Sequence, residues 1–183
     1  MAFIGLKYVV AAPIATETTA SVTYGTGFVV GKAITANINV NTNDVKLYAD
    51  DVVAETDHGF TDGTVEIGVA HMTDDIQVKM LGHTLTSGEI TALASDTIPY
   101  NGLGFYAVKM IGGNRKYRAI WLTKTQASEP NESLTTRQGQ TAFGTPSITS
   151  AIMEDMTGAW KKETTVDTES AAIAWLNGKA NIT

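Results

Sequence analysis

AITANINVN, the stretch Ala33–Asn41, decides the fold class of this chain. Apolar side chains occupy its even positions from 34 to 40, whereas threonine or asparagine occupies every odd position from 35 to 41. Because successive side chains of a strand point to opposite faces, this alternation predicts a β-strand with one dry and one solvated face. Thr64–Ala70 repeats the pattern, with Val65, Ile67 and Val69 on its dry face.

The composition also favours strands. The 183 residues include 27 threonines, a β-branched residue that suits a pleated, half-solvated surface. The length predicts one domain, residues 1–183, with mobile termini. There is no cysteine, which excludes disulfides, thiol nucleophiles and thiolate metal sites. No stretch approaches the roughly 20 apolar residues that cross a bilayer, and no signal peptide is evident, so we expect a soluble protein made in the cytoplasm.

A hairpin is predicted for residues 104–124. Its arms, Phe105–Ile111 and Arg115–Lys124, flank a turn at residues 112–114, which read GGN. The second arm carries large side chains on both faces, so we expect both faces to contact protein. A loop follows at Gln126–Gly144, and then a strand at Pro146–Ile152.

Two helices are predicted beside the strands. Met72–Gly82 reads as a short amphipathic helix with Thr73 as its N-cap and Gly82 at its end. Glu169–Asn177 reads as a second helix, capped by Thr168 and ended by Gly178. The predicted fold class is therefore mainly β, with one flanking short helix and a C-terminal helix.

Residues 42–63 form an acidic segment that is longer than an ordinary hairpin connection. The segment is predicted either as a protruding loop or as a short outer strand around Val45–Tyr48. Charge is uneven elsewhere too: residues 1–104 carry 12 acids and 4 bases, whereas residues 105–140 carry 2 acids and 6 bases. The net charge of −6 lacks the basic excess of a protein that reads nucleic-acid sequence.

Motifs for catalysis are weak in this sequence. None of its three histidines (His58, His71 and His83) has the i, i+4 spacing of a helical metal site. GLGFYA at residues 102–107 matches the dinucleotide pattern G-x-G-x-x-A, but it leads into a strand rather than a helix. We therefore expect no catalytic residue, no cofactor and no metal, and a protein that is not an enzyme.

An ordered series of landmarks resembles the major tail proteins of siphophages. It begins with KLYADD at residues 46–51, followed by the acidic stretch, an alternating strand, a short helix and Leu81-Gly82. It continues with GFY at residues 104–106, the glycine turn and KYRAIWLTK at residues 116–124. It ends with residues 136–139 leading into FGTP at residues 143–146 and a final strand.

The resemblance implies a β-sandwich or half-barrel of the tail-tube type. It also implies hexameric rings that stack into a hollow tube, through which DNA passes without specific binding. The implied partners are further copies of the chain and the tape-measure, tail-terminator and distal tail proteins, and the implied location is the virion tail, assembled in the bacterial host without a membrane.

The uneven charge suggests where copies meet. We expect the acidic segment and the basic end of the predicted hairpin to form complementary patches between subunits or rings. The candidate contact residues are Asp44, Asp50, Asp51, Glu55, Asp57, Arg115, Lys116 and Arg118.

Two other interpretations fit the same sequence. One is a soluble β-sandwich module that binds a ligand or carbohydrate. The other is a different ring-forming virion protein of the same fold, such as a tail terminator, a decoration protein or a secretion-tube protein.

Overall fold

The computed structural model describes residues 3–49, 52–130 and 145–183. Within these ranges the chain forms eleven strands and two helices, which confirms the predicted mainly β class. In chain order the elements are β1 (Phe3–Glu17), β2 (Val22–Tyr24), β3 (Phe28–Gly31), β4 (Ala33–Ala49), β5 (Val52–Val69), α1 (Asp74–Lys79), β6 (Thr84–Thr86), β7 (Glu89–Thr91), β8 (Tyr100–Ile111), β9 (Asn114–Ala127), β10 (Ser147–Met153), β11 (Lys161–Val166) and α2 (Glu169–Ala180).

Nine of these strands form one antiparallel sheet. Its pairing path runs β2-β1-β8-β9-β10-β5-β4, with β11 beside β9 and β3 beside β1. Lys32 alone separates β3 from β4, so one stretch of chain pairs first with β1 and then with β5. The sheet therefore curls back toward its own beginning and wraps around a core. β6 and β7 pair with each other in a separate small hairpin.

The inner core is the apolar cluster that this sheet wraps around. Ile76 of helix α1 and Met80, the residue at its C-cap, belong to this core and are 0% and 1% exposed. The side chain of Thr73 accepts a hydrogen bond from the Ile76 backbone N–H, so the predicted N-cap is confirmed. The strands contribute Val9, Val30, Val65, Ile67, Val69, Leu103, Phe105, Ile120, Leu122, Ile148 and Ile152.

The outer core lies between α2 and the opposite side of β1, β8 and β9. Trp121 is completely buried there against Leu176 and its neighbours on α2. Gly102 and Gly104 make room for its indole, because an added Cβ would lie 2.3 Å and 2.6 Å from ring atoms. The glycines of the GLGFYA stretch thus serve packing. Both faces of the β8–β9 hairpin contact protein, as predicted, and the described contacts come from the chain's own elements.

Several predicted boundaries are wrong. The chain has no helix end at Gly178, since α2 continues to Ala180 and ends at Asn181, whose φ of 52° is left-handed. The turn of the β8–β9 hairpin is only Gly112-Gly113, both at positive φ, and Asn114 already belongs to β9. The predicted loop at 126–144 starts later, because β9 continues to Ala127; residues 131–144 lie outside the described residues.

The acidic segment 42–63 is not a loop in its described part. β4 continues through residues 45–48 to Ala49, and β5 starts at Val52, so the segment is the outer half of one long hairpin. The two arms keep pairing out to Ala49 and Val52, with register shifts between Asn41 and Thr42 and between Leu47 and Tyr48. The predicted outer strand around Val45–Tyr48 is thus part of β4, and the alternative of a protruding loop is wrong for the described residues. Alternation is visible only near the core, where one face is dry, so the outer half gives no comparable signal in the sequence.

Candidate assembly surface

The β4–β5 hairpin reaches beyond the rest of the sheet. β5 pairs with β10 only from Gly63 to Gly68, whereas its pairing with β4 continues to Val52. For residues 42–60, the strand pairs within the described chain are those between the two arms. This part of the hairpin is called the hairpin extension below.

The free edge of β4 is the second feature of this surface. Within the described ranges, no strand pairs with β4 on the side opposite β5. The predicted dry face of β4 is also incompletely covered, because Ile34 is 50% exposed and Val40 40% exposed. Ala36 and Ile38 between them pack partly against the inner core. An unpaired edge of this kind is a template for pairing with another chain.

The predicted acidic contact residues belong to the hairpin extension. By strand register, Asp44 lies opposite His58, Asp57 opposite Val45 and Glu55 opposite Leu47. Asp50 and Asp51 lie outside the described residues, between the ends of the two strands. Carboxylates thus recur along both arms of the hairpin extension.

The predicted basic contact residues lie at the outer end of the β8–β9 hairpin and are partly neutralised by β11. Arg118 donates a hydrogen bond to Glu163 at 2.6 Å, and Lys161 lies 3.1 Å from the same carboxylate. These contacts with Arg118 and Lys161 hold the pKa of Glu163 below its usual value. Lys116 forms an ion pair with Asp167.

Sequence reasoning did not identify these carboxylates as partners, because β11 was not predicted. Lys109 and Arg115, at the same end of the hairpin, form no ion pair within the described residues. The contact between the acidic and basic patches of different copies stays a prediction. Arg115 is one of its candidate residues, and Lys109 is a further cation at the same end of the hairpin.

A buried histidine forms a polar cluster that the sequence did not reveal. The ring nitrogens of His83, 7% exposed, lie 3.2 Å from Asp96 Oδ2 and 3.2 Å from Glu129 Oε1. The backbone N–H of Leu93 donates to Asp96 and, together with His83, lowers the pKa of that carboxyl group. The cluster connects residues 83–96 to Glu129, just after the end of β9, which is a structural role.

Open pockets also occur, and one contains ionisable groups. It has a volume of about 530 Å³ and lies beside the first turn of α2, lined among others by Lys7, Tyr106 and Glu169. Tyr106 donates a hydrogen bond to Glu169, and Lys7 Nζ lies 3.2 Å from the same carboxylate. Burial, with Glu169 nearby, raises the pKa of the Tyr106 phenol. The hydrogen bond and the ion pair thus link Tyr106, Glu169 and Lys7 to one another.

No group of three or more histidine, cysteine, aspartate or glutamate side chains in the described parts of the chain could hold a metal ion. Neither described helix is long and apolar enough to span a membrane.

No protein-family model matches this sequence, and no curated protein is significantly similar to it. The resemblance to siphophage major tail proteins therefore stays a prediction from the ordered landmarks.

Proposed function

We propose that this chain is a structural subunit of a phage tail tube rather than an enzyme. Copies join into hexameric rings, and the rings stack into a hollow tube for genome delivery. The observation that supports assembly most directly is the long β4–β5 hairpin: within the described chain the outer halves of its arms pair with each other alone, and β4 has a free edge.

The physical argument starts from the hairpin extension. An isolated two-stranded ribbon is marginally stable in water, because it buries little apolar surface and leaves two edges unpaired. The extension and the free edge of β4 both gain hydrogen bonds if a neighbouring copy pairs with them. A ring removes such edges by closing on itself, and a head-to-tail stack of rings is a heterologous contact that grows into a filament.

The remaining parts of the proposal follow from the resemblance. The tube belongs to the virion, and its other partners are the tape-measure, tail-terminator and distal tail proteins. Permanent interfaces of this kind bury on the order of 2,000–5,000 Å².

Negative-stain electron microscopy of the purified chain tests this function, with light scattering over a range of concentrations. We expect rings or tubes that grow with protein concentration. A compact monomer at every concentration would contradict the proposal.

A matched pair of variants tests the role of the β4 edge. Val40→Lys places a charge on the exposed part of β4, where lysine blocks strand pairing, and Leu93→Lys places one on a side chain that is 55% exposed outside the strands. We expect Val40→Lys to suppress assembly and Leu93→Lys to assemble like the unmodified chain. Equal assembly of both variants would show that the β4 edge is not an interface.

The open pocket beside α2 favours one alternative, a monomeric β-sandwich module that binds a small ligand or carbohydrate. Its volume of about 530 Å³ lies within the range of ligand sites. This alternative predicts a monomer, so the same light-scattering experiment separates it from the tail-tube proposal. Isolated rings that never stack would instead favour another ring-forming virion protein.

A further inference from the structure

The open pocket beside α2 lies where the pairing of β1 is interrupted. On the side of β1 opposite β8, β3 pairs only with Val9 to Ala11, and β4 then leaves β1 to pair with β5. Along residues 3–8, no strand of the described chain pairs with that side of β1. The pocket is lined by Leu6 from this uncovered edge and by Ala33 from the start of β4, so it occupies a gap between two strand edges.

Two backbone irregularities border this gap. Tyr8 has a φ of 54°, which residues with a side chain rarely adopt, and it belongs to a bulge where the register of β1 against β8 shifts between Lys7 and Val10. Its hydroxyl donates to Oδ1 of Asn177 on α2 at 2.7 Å. Gly31, with a φ of 132°, lines the same pocket at the end of β3. Bulges and strained residues of this kind are concentrated beside functional sites, so the gap is a candidate binding site.

The lining of the pocket is hydrophobic on both sides of the sheet. Leu6 and Ala33 also pack against the inner core, whereas Tyr8 and Ile173 pack against the outer core. Val29 adds an apolar side chain that is 45% exposed. The volume of about 530 Å³ is in the range of small-ligand sites, so an apolar ligand body has room between these side chains.

The charged groups of the pocket are mostly cationic. Glu169 is the one acid among its described lining residues, and its carboxylate lies 3.2 Å from Lys7 Nζ and accepts a hydrogen bond from Tyr106. Lys32 also lines the pocket, is exposed, and forms no ion pair within the described residues. Because Lys7 is matched by Glu169, Lys32 leaves one positive charge unmatched in the pocket. That balance fits a ligand with a single negative charge.

We propose that the pocket beside α2 binds a small amphiphilic carboxylate, with its apolar body between Leu6, Val29 and Ile173 and its carboxylate on Lys32. The uncovered edge of β1 presents backbone N–H groups that can donate to the carboxylate oxygens. A dianion fits less well, because Glu169 would repel the second charge. This site goes beyond the proposed function and does not depend on it.

Isothermal titration calorimetry of the full chain with octanoate tests the site. The neutral probe 1-octanol and the cationic probe octylammonium have the same apolar chain and serve as comparisons. We expect octanoate to bind at one site and both comparison probes to bind at least about fivefold more weakly, since neither can pair with Lys32. Octanoate that does not bind, or that binds no more tightly than 1-octanol, would overturn the inference.

A matched pair of lysine variants tests the assignment of the carboxylate. Lys32→Gln should weaken octanoate binding by about fivefold and leave 1-octanol binding unchanged. Lys162→Gln removes the charge of an exposed lysine on β11, outside the described lining of the pocket, and should bind octanoate like the unmodified chain. An equal effect of the two variants on octanoate binding would contradict the role of Lys32.

Val29→Trp tests the location of the apolar body. Because Val29 is 45% exposed, a larger side chain can fill the pocket there without displacing a buried neighbour, and it should abolish binding of both octanoate and 1-octanol. Unchanged octanoate binding by this variant would place the ligand elsewhere. Light scattering on the same samples reports assembly separately. A chain that forms tubes but does not bind octanoate refutes this inference alone, whereas a chain that binds octanoate but stays monomeric refutes the proposed function alone.

Discussion

A Cβ atom added to Gly102 would lie 2.3 Å from Cζ2 of Trp121. The indole lies directly on the glycine backbone, and its Nε1 donates to the hydroxyl of Tyr24 at 3.2 Å. That hydroxyl in turn donates to the carbonyl oxygen of Thr123 at 2.8 Å. The outer core therefore depends on the absence of a side chain at position 102.

Gly102→Ala should destabilise the protein, because the indole is enclosed and cannot move away without losing its contacts. Overpacking of this kind costs about 1–3 kcal/mol, which urea unfolding measures. The control is Gly178→Ala: Gly178 lies inside α2 with no atom near its added Cβ, so alanine there should stabilise by about 0.5–1 kcal/mol. An unchanged unfolding free energy for Gly102→Ala would show that the Trp121 indole can shift to accommodate the added methyl group.

These glycines also show how far sequence reasoning could go. The prediction that the pattern at residues 102–107 leads into a strand rather than a helix is confirmed, because these residues lie within β8. Its actual role was not visible, since it depends on Trp121, a residue distant in sequence that pairs across from Gly104. The predicted helix end at Gly178 was wrong because a glycine can lie in a helix interior and weaken the helix without ending it. The helix ends instead at Asn181, which adopts the left-handed conformation.

Tyr24 should make stability fall at alkaline pH. Its burial, opposed by the Trp121 hydrogen bond and reinforced by Asp155 and Glu17, raises the phenol pKa from 10.0 to about 12. A raised folded-state pKa contributes stability that is complete below pH 10 and is lost as the pH rises through about 12.

Tyr24→Phe should therefore flatten the pH dependence of the unfolding free energy in that window, as followed by urea unfolding at several alkaline pH values. The matched variant Tyr100→Phe removes a phenol that is 44% exposed. If the unfolding free energy of Tyr24→Phe fell with alkaline pH as steeply as that of the unmodified chain, Tyr24 would not be the group responsible.

Asp96 should make the stability of the protein fall at acid pH. The Leu93 N–H and then His83 lower the pKa of its carboxyl group, so its contribution to stability is present above the ordinary value of 3.8 and is lost as the pH falls through the lowered one. Asp96→Asn should remove this acid dependence, measured as the urea midpoint between pH 7 and about pH 3. Glu154→Gln, which removes an exposed carboxylate, is the control. If the urea midpoint of Asp96→Asn fell at acid pH as much as that of the unmodified chain, another group would control the acid dependence.

The parts of the fold that were predicted share a clear local signal. The strands around Ile38, Val65 and Ile148 have one dry face, and the capped helices start at Thr73 and Thr168. By contrast β1 and β11 were not predicted. β1 is interrupted by a bulge where Tyr8 has φ 54°, and it contributes to both cores, so its apolar residues do not alternate.

The candidate assembly surface was likewise only partly predictable from the sequence. Clusters of charge were visible in sequence, but the partners of Lys116 and Arg118 were not, because β11 brings Glu163 and Asp167 beside them only after folding. A charge count cannot distinguish a patch that is neutralised within the chain from one that remains available to another copy.

The last prediction concerns the charge of the hairpin extension. Asp50→Lys with Asp51→Lys reverses two carboxylates between β4 and β5, and should weaken assembly because the extension would then repel Lys109 and Arg115 of a neighbouring copy. Asp74→Lys with Asp75→Lys makes the same change in net charge at the start of α1 and should leave assembly unaffected. Combining the Asp50 and Asp51 reversals with Lys109→Glu and Arg115→Glu should restore assembly, since the attraction returns with opposite sign.

Light scattering across a series of salt concentrations measures the assembly of all three variants. The defect of the first variant should shrink as salt increases, because exposed charges are screened within about 10 Å at 0.1 M. Normal tube formation by the Asp50 and Asp51 variant at moderate salt would refute the pairing. Failure of the compensating variant to assemble would show that Lys109 and Arg115 are not the partners, even if the acidic residues matter.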